Sequence, residues 1–226
     1  MPHSPILSVV LPCLNEEATL ADCIATLRKA LEASDLSGAW EIIVADNGSM
    51  DRSVQTAEQM GVRVVHVEER GYGRALSAGI QAAVSPHVVF VDADGTYPLE
   101  LVSELYRQTL KSGAVLGLAS RLRGQIEVGA MPWLHRWIGT PFFTALINLI
   151  YGGKITDCGS GFRCVRRDWF LAHPHHSTGM EFASENLIRA SKSKATVIEV
   201  RGGLSRSPAE RQPHLRTWRD GMRHLM

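Results

Sequence analysis

Residues 88–98 read VVFVDADGTYP, in which an apolar run leads into two aspartates and a turn containing glycine and proline. The apolar run is typical of a buried strand, and Asp92 and Asp94 stand where that strand ends. Unpaired charge is costly there, so the two carboxylates favour a hard cation, Mg²⁺ or Mn²⁺, that completes its ligands with substrate phosphates. The alternative is an Asx-type turn, which Asp94, Gly95 and Thr96 also suit.

Short apolar runs and amphipathic segments alternate on both sides of this motif. The apolar runs predict strands over residues 6–11, 41–45, 62–67, 87–91 and 114–118. The segments between them predict helices over residues 16–33, 52–60, 73–84 and 99–111. This spacing indicates βαβ units, so we predict an α/β fold with a mostly parallel central sheet flanked by helices. Ligands of such sheets bind at the carboxyl ends of the strands.

The second half of the chain does not continue the regular alternation of short strands and helices. It predicts helices over residues 134–151 and 181–191 and strands over residues 162–165 and 195–200. No internal repeat and no long linker interrupts the sequence. We therefore predict one domain over residues 1–226.

Polar residues follow the first two predicted strands. Asn15 and Glu16 come after the first strand, and Asp46 comes after the second. An acid after the second strand can bind a ribose or a base. N-capping of the next helix is the alternative for Asn15, Ser49 and Asp51.

A glycine turn follows the third predicted strand. Gly71 and Gly73 flank Tyr72 where a helix is predicted to begin, and glycine lets backbone amides approach a ligand closely. The pattern lacks the third glycine of GxGxxG and does not follow the first strand. A Rossmann dinucleotide site is therefore disfavoured.

The composition excludes several classes of protein. The chain has 226 residues, of which 45% are hydrophobic and 21% charged, a composition typical of globular proteins. Its formal net charge of +1 gives no overall positive potential that would attract nucleic acid. Residues 201–226 are locally basic, with six arginines against two acids, or +4 with neutral histidines. The cysteines show no CxxC or zinc spacing, no signal sequence is evident, and no apolar stretch reaches the ~20 residues of a spanning helix. We therefore expect a cytoplasmic protein.

Several segments along the chain carry a family resemblance. They are Pro12-Cys13-Leu14-Asn15-Glu16, Asp46-Asn47-Gly48-Ser49-Met50-Asp51, Arg70-Gly71-Tyr72-Gly73, Asp92-Ala93-Asp94-Gly95-Thr96-Tyr97-Pro98, Met131-Pro132-Trp133-Leu134-His135-Arg136, Asp157-Cys158-Gly159-Ser160-Gly161-Phe162-Arg163, Gly179-Met180-Glu181-Phe182-Ala183-Ser184-Glu185 and Pro213-His214-Leu215-Arg216. Together they resemble family 2 glycosyltransferases with the GT-A fold, and more closely the dolichol-phosphate or polyprenyl-phosphate hexosyltransferase group. The resemblance implies a nucleotide-sugar-binding half over residues 1–120, an acceptor half over residues 121–200 and a basic tail over residues 201–226.

The resemblance also implies roles for individual residues. Asp92 and Asp94 would hold the metal, and Asp94 and Asp157 are the implied catalytic residues. The implied donor-binding residues are Pro12, Leu14, Glu16, Asp46, Gly71, Asp92, Ala93, Asp94 and Arg211. The implied acceptor-binding residues are Arg121, Arg136 and Thr140, and the spacing of the last two puts them on one helix face. Snorkelling along the helix is the alternative for Arg136.

Three further segments have expected roles, and two of these roles have alternatives. Asp157 is expected to face the acceptor or the sugar, as a base for a hydroxyl acceptor or as a group that orients Arg163. Glu181 and Glu185 are expected either to contact sugar hydroxyls or to form a salt bridge with Arg189. The motif around Arg206 and Arg211 is expected to form a mobile cationic lid over the diphosphate.

Two sets of residues favour plain structural interpretations. The histidines of residues 173–176 are expected to lie in a solvated loop. Cys13, Cys23, Cys158 and Cys164 are expected to be buried as small hydrophobic residues.

The implied activity is an inverting, metal-dependent transfer of a hexose from a UDP- or GDP-sugar to a polyprenyl or dolichyl phosphate in cell-envelope glycan biosynthesis. The acceptor would place the protein peripherally at the inner face of the membrane, and residues 134–151 are apolar enough for a homo-oligomer interface. One alternative is a haloacid-dehalogenase-like phosphatase with Asp92 as nucleophile, although that motif normally follows the first strand of its fold. Transfer to a non-lipid acceptor is the other alternative.

Overall fold

The computed structural model describes residues 5–36 and 38–208 of the chain. Its strands are β1 (Leu7–Cys13), β2 (Trp40–Asp46), β3 (Arg63–His66), β4 (His87–Phe90), β5 (Leu116–Ile126), β6 (Arg163–Arg166) and β7 (Val197–Leu204). They form one sheet in the order β3-β2-β1-β4-β6-β5-β7. Only β6 runs antiparallel to its neighbours, so the predicted mostly parallel α/β fold is confirmed.

Helices cover both faces of the sheet. They are α1 (Leu20–Glu32), α2 (Ser53–Gln59), α3 (Tyr72–Ala82), α4 (Val102–Lys111), α5 (Thr140–Tyr151), α6 (Arg167–Ala172) and α7 (Phe182–Lys192), with a 3₁₀ turn at Leu99–Leu101. Apolar residues of α1, α2 and α4 form one core cluster, and those of α3, α6 and α7 form the other. Strand side chains alternate between the faces, so in β1 Val9 packs into the first cluster and Val10 into the second.

The strand order creates a crevice between β1 and β4. The chain runs from β1 through β2 to β3 at one edge and then returns, so that β4 pairs with the other side of β1. Such a reversal is where open α/β sheets bind ligands, outside the carboxyl ends of the strands. Asp92 stands two residues beyond the end of β4, at this crevice.

The helix predicted over residues 134–151 is divided into two parts. A π-helical turn, His135–Gly139, precedes α5. Pro141 has no amide hydrogen for the carbonyl four residues earlier, which accounts for the wider turn just before it. Trp133, Trp137 and Phe142 of this segment are exposed.

Other element boundaries also differ from the predictions. β5 continues to Ile126, well past the predicted end at residue 118, because its second half pairs with β7 after a register shift. The short helix α6 was not predicted. Within residues 5–36 and 38–208, no helix is long and apolar enough to cross a membrane.

Candidate active site

Asp92 is held in place from two sides. Its Oδ1 accepts a hydrogen bond from the hydroxyl of Tyr72, at the start of α3, with an oxygen–oxygen distance of 2.8 Å. Gly161 lies against its other oxygen so closely that an added Cβ would stand 2.5 Å from Oδ2. The amide of Gly161 donates to the hydroxyl of Tyr97 at 2.7 Å. Tyr72 thus fixes one oxygen of Asp92, and Gly161, held by Tyr97, leaves no room beside the other.

Asp94 forms the turn that the sequence offers as an alternative. Its Oδ1 accepts hydrogen bonds from the amide and the hydroxyl of Thr96 at 3.0 and 2.6 Å. The segment after β7 covers this turn, because Ser207 donates to the carbonyl of Asp94 and Ser205 donates to that of Thr96. Asp94 therefore forms the turn. The same carboxylate also lies at the C-terminal end of β4, where a metal ligand is expected, so the two interpretations are compatible.

Ala93, between the two aspartates, is tied to helix α1. Its carbonyl accepts hydrogen bonds from the hydroxyl of Thr19 at 2.7 Å and from the thiol of Cys23 at 3.4 Å. Burial raises the pKa of Cys23 to about 12, so its thiol keeps the proton that it donates. All four cysteines are free and buried, as predicted.

A metal site built on these residues has few protein ligands. In the described part of the chain, no group of three or more histidine, cysteine, aspartate or glutamate side chains is arranged to hold a metal ion. Mg²⁺ commonly binds through one or two carboxylates and takes its other ligands from substrate phosphates and water. Asp92 and Asp94 fit that kind of site.

Asp46 and Asn47 organise the loops beside the crevice. The buried carboxylate of Asp46 accepts backbone hydrogen bonds from Gly48 at 3.2 Å and Ser49 at 3.1 Å. Asn47 accepts the amide hydrogen of Gly71 at 2.6 Å and so connects the end of β2 to the glycine turn before α3. Since an added Cβ on Gly71 would lie 2.1 Å from the carbonyl oxygen of Thr178, only glycine fits there.

The loop after β1 is bonded to the loop after β2. Glu16 is buried, and its amide donates to the hydroxyl of Ser53 at 2.8 Å. Asn15 accepts the amide hydrogen of Met50 at 2.8 Å and donates its own amide hydrogen to Ser49 at 3.0 Å, so Asn15 and Ser49 join loops and do not cap helices. The remaining predicted donor residues of this loop, Pro12 and Leu14, are partly buried beside them.

Arg121 on β5 forms an ion pair with the buried Asp157 of the loop before β6. The amide, Nε and Nη2 of Arg121 donate to the Asp157 carboxylate at 2.9, 2.8 and 2.7 Å. Burial alone would raise the pKa of Asp157, but the hydrogen bonds and charge of Arg121 hold it below its usual value. The Asp157 side chain is 0% exposed, so in this conformation it positions Arg121. A direct role for Asp157 as a base stays a prediction.

Arg163 makes different contacts from those expected. Its side chain is fully buried and donates to the carbonyls of Ser160, Cys158 and Ala183. The carboxylate of Asp157 accepts hydrogen bonds from Arg121, whereas the guanidinium of Arg163 donates to these main-chain oxygens. The alternative in which Asp157 orients Arg163 is therefore wrong, because sequence spacing does not show which of two arginines faces the carboxylate.

The other predicted acceptor residues lie on the segment 135–140. Arg136 lies over the ring of Trp137, with Cζ 5.2 Å from the centroid, and Thr140 is the first residue of α5. Burial, and after it the charge of Arg121, lower the pKa of the neighbouring His135. The charge of Arg121 therefore acts on the π-helical turn.

Tyr97 is buried and hydrogen-bonded to the loop that carries Asp157 and Gly161. Burial raises its pKa to about 12, and the charges of Arg121, Asp92 and Asp157 all act on it. The loop of residues 157–161 also connects Asp92 with Arg121, because an added Cβ on Gly161 would stand 2.5 Å from Oδ2 of Asp92 and one on Gly159 would stand 2.8 Å from Nη2 of Arg121. Tyr72, Tyr97 and Gly161 lie inside the quoted motifs, but their spacing gave no sign of a supporting role.

Of the two arginines in the predicted basic lid, the structure describes only Arg206. Arg206 contacts the loop after β5, where its amide donates to Glu127 at 2.8 Å and its guanidinium packs against Gly129. It is Ser205 and Ser207 that contact the turn at Asp94. Arg211 lies outside the described residues.

The histidine tract is not simply a solvated loop, so that expectation was wrong for His175. Its ring stacks on Phe170 with centroids 4.3 Å apart, and burial lowers its pKa to about 4. Nearby, Glu185 forms the salt bridge with Arg189 that was one of its two interpretations, at 2.6 Å. The ring of His175 packs in an apolar pocket between α6 and α7. This pocket is formed by tertiary packing and has no signal in the local sequence.

Comparisons with known proteins agree with this architecture. The sequence model described as Glycosyl transferase family 2 matches residues 8–172. The low-salt glycan biosynthesis hexosyltransferase Agl6 of Haloferax volcanii is 36% identical over 98% of this chain and 52% of its own length. A dolichyl-phosphate hexose transferase of the same organism is 31% identical over 86% of this chain and 80% of its own length. The chain thus spans about half of the length of Agl6.

The solved structures show the same fold. Glucosyl-3-phosphoglycerate synthase from Mycobacterium tuberculosis, in complex with Mn²⁺, UDP and glucosyl-3-phosphoglycerate, superposes with a TM-score of 0.69 at 24% identity. The match covers 92% of this chain and 73% of that one.

Proposed function

This chain belongs to glycosyltransferase family 2 and has the GT-A fold, and from that premise we propose an inverting, metal-dependent transfer of a hexose from a UDP- or GDP-sugar to a polyprenyl or dolichyl phosphate. The proposal rests on one observation. Asp92 and Asp94 stand at the β1–β4 crevice, and the loop of residues 157–161, which carries Asp157, packs against both Asp92 and Arg121. The match to the glycosyltransferase family leaves the phosphatase alternative without support.

The donor side is proposed to lie over the ends of β1, β2 and β4. Asp92 and Asp94 would hold Mg²⁺ or Mn²⁺, which neutralises the charge of the leaving diphosphate. The residues proposed to hold the nucleotide sugar are Pro12, Leu14, Glu16, Asp46, Gly71, Ala93 and Arg211. The hydrogen bonds among the loops after β1 and β2 support this assignment, because they fix Glu16 and Asp46 before a ligand arrives.

The acceptor side is proposed to bind a phosphate monoester through Arg121, Arg136 and Thr140. A phosphate monoester has a second pKa of about 6, so near neutral pH its oxygen attacks without a strong general base. Attack on the anomeric carbon from the side opposite the diphosphate breaks the sugar–phosphate bond and inverts the configuration. Asp157 contributes by holding Arg121, since a bidentate guanidinium keeps its orientation.

The names of the relatives favour a lipid acceptor. One relative is a dolichyl-phosphate hexose transferase, and another, from Pyrococcus furiosus, is a dolichol-phosphate mannosyltransferase with 25% identity over 97% of this chain. The exposed Trp133, Trp137 and Phe142 beside Arg136 suit a peripheral position at the inner face of a membrane. A homo-oligomer through residues 134–151 is the competing use of that surface.

The test is a transfer assay with UDP- and GDP-sugars, a short polyprenyl phosphate and Mn²⁺ or Mg²⁺. Loss of a residue that supports a metal ligand typically lowers activity by roughly 10- to 100-fold. Asp94→Ala removes a proposed ligand itself, so we expect it to lower the transfer rate by more than about 100-fold. Asp168→Ala is the matched control, because Asp168 follows β6 at the opposite end of the sheet.

The outcomes separate the alternatives. Transfer to the lipid phosphate that is lost in Asp94→Ala and kept in Asp168→Ala supports the proposal. Transfer only to a soluble phosphate ester would establish a non-lipid acceptor. Absence of any sugar transfer, together with phosphatase activity lost in Asp92→Asn, would refute the glycosyltransferase reaction.

A further inference from the structure

Glu199, on the edge strand β7, reaches into the loop before β6. Its side chain is only 5% exposed. Oε1 accepts the amide hydrogens of Thr156 and Asp157 at 2.8 and 3.2 Å, and Oε2 accepts the hydroxyl of Thr156 at 3.0 Å. One carboxylate therefore fixes two consecutive residues of this loop.

The loop that Glu199 fixes carries the partner of Arg121. The main chain of Asp157 is bonded to Glu199, while its side chain accepts three hydrogen bonds from Arg121. β5 and β7 are paired, with Leu118 opposite Glu199, so Arg121 lies three residues farther along the same strand. Glu199, the loop and the arginine thus form a continuous chain of contacts.

The other partner of Glu199 contributes little to this arrangement. Nη1 of Arg123 lies 3.9 Å from Oε2, and the Arg123 side chain is 48% exposed. Long ion pairs with an exposed partner contribute little to stability. The contacts with Thr156 and Asp157 therefore give the side chain of Glu199 its structural effect.

We propose that Glu199 is a positioning residue that sets the guanidinium of Arg121 for the acceptor phosphate, acting through Thr156 and Asp157. The inference rests on the proposed function, in which Arg121 binds that phosphate. Without Glu199 the loop loses its anchor, and Arg121 moves with Asp157 because the pair is bidentate and buried. On the donor side, Glu16 and Asp46 follow β1 and β2 and are held by hydrogen bonds that do not involve Thr156 or Asp157.

The experiment compares Glu199→Ala and Glu199→Gln with the control Arg123→Ala in the full chain. It measures KM for a short polyprenyl phosphate, KM for the nucleotide sugar, and Kd for UDP with Mn²⁺ by calorimetry. Glu199→Ala is expected to raise the acceptor KM roughly tenfold, the effect of one hydrogen bond to a charged group, and to leave the donor KM and Kd within about twofold. Glu199→Gln keeps an acceptor oxygen and is expected to stay near wild type, as is Arg123→Ala.

A double-mutant cycle with Arg121→Ala distinguishes positioning from general damage. In the Arg121→Ala background, Glu199→Ala is expected to add no further rise in acceptor KM, because both changes act on the same contact. If Glu199→Ala does not fold, Glu199→Asp carries the test with a shortened side chain.

Each contrary result has a defined meaning. An acceptor KM that rises in Arg121→Ala but not in Glu199→Ala would overturn this inference alone. Equal rises in acceptor and donor KM would also overturn it, since they indicate general damage. An acceptor KM unchanged in Arg121→Ala would overturn both the proposed role of Arg121 and this inference.

Discussion

Gly161→Ala is a direct test of the metal site, because Gly161 leaves no room beside Asp92. An alanine Cβ would stand 2.5 Å from Oδ2, against the 3.4 Å at which ordinary contact begins, so the oxygen has to retreat by 3.4 − 2.5 = 0.9 Å. The hydrogen bond from Tyr72 to the other oxygen resists that movement. The substitution therefore displaces a proposed metal ligand without removing it.

The expected result is weaker metal binding in a folded protein. A displacement of about 1 Å in a positioned group costs roughly 100-fold in rate, and loss of support for a ligand costs about 10- to 100-fold in affinity. We expect Kd for Mn²⁺, measured by electron paramagnetic resonance with UDP present, to rise by one to two orders of magnitude. Overpacking is expected to lower the free energy of unfolding by only about 1–3 kcal/mol.

Gly139→Ala is the matched control for metal binding. Its Cβ would meet only the carbonyl oxygen of Leu134, at 3.6 Å, and its φ of −61° suits alanine. If folded Gly161→Ala binds Mn²⁺ as tightly as wild type and Gly139→Ala, Asp92 does not hold the ion and the proposed metal site is wrong.

Three further predictions concern stability, measured by urea unfolding. Asp157→Ala is expected to cost about 3–5 kcal/mol because it leaves buried Arg121 unpaired, with part recovered in the double variant with Arg121→Met; a loss under 1 kcal/mol contradicts the buried pair. Burial would raise the pKa of Glu185, but hydrogen bonds from backbone amides and an arginine lower it from 4.5 to about 2. Glu185→Gln is therefore expected to lose about 1–2 kcal/mol near neutral pH, after allowance for solvent screening, and the deficit should disappear as the pH falls from 4.5 towards 2. Burial lowers the pKa of His175 from 6.5 to about 4. As the pH falls from 6.5 to 4, the unfolded state takes up the proton before the folded state, so the free energy of unfolding of the wild type is expected to decrease. His175→Phe should lack this loss, and identical pH profiles would contradict the burial of the ring.

The sequence predicted most of the strands because each is an apolar run bounded by turn residues, and strands such as β1 are buried on both faces. It was less accurate where a contact with a distant segment extends or divides an element. The second half of β5 depends on pairing with β7, and the π-helical turn depends on a single proline. Neither the pairing of β5 with β7 nor the changed helical hydrogen bonding of the π-helical turn produces a periodic pattern in the nearby sequence.

The chemistry at the strand ends could likewise be read from the sequence only in part. The order of apolar run, aspartate and glycine determined that Asp92 and Asp94 follow a central strand, since a parallel sheet gathers such residues at one edge. The tertiary structure alone decided which residues surround Asp92 and which support the loop that holds Arg121. Tyr72, Gly161 and Glu199 come from separate elements, and the packing that brings them to Asp92 and Arg121 is formed by segments far apart in the chain.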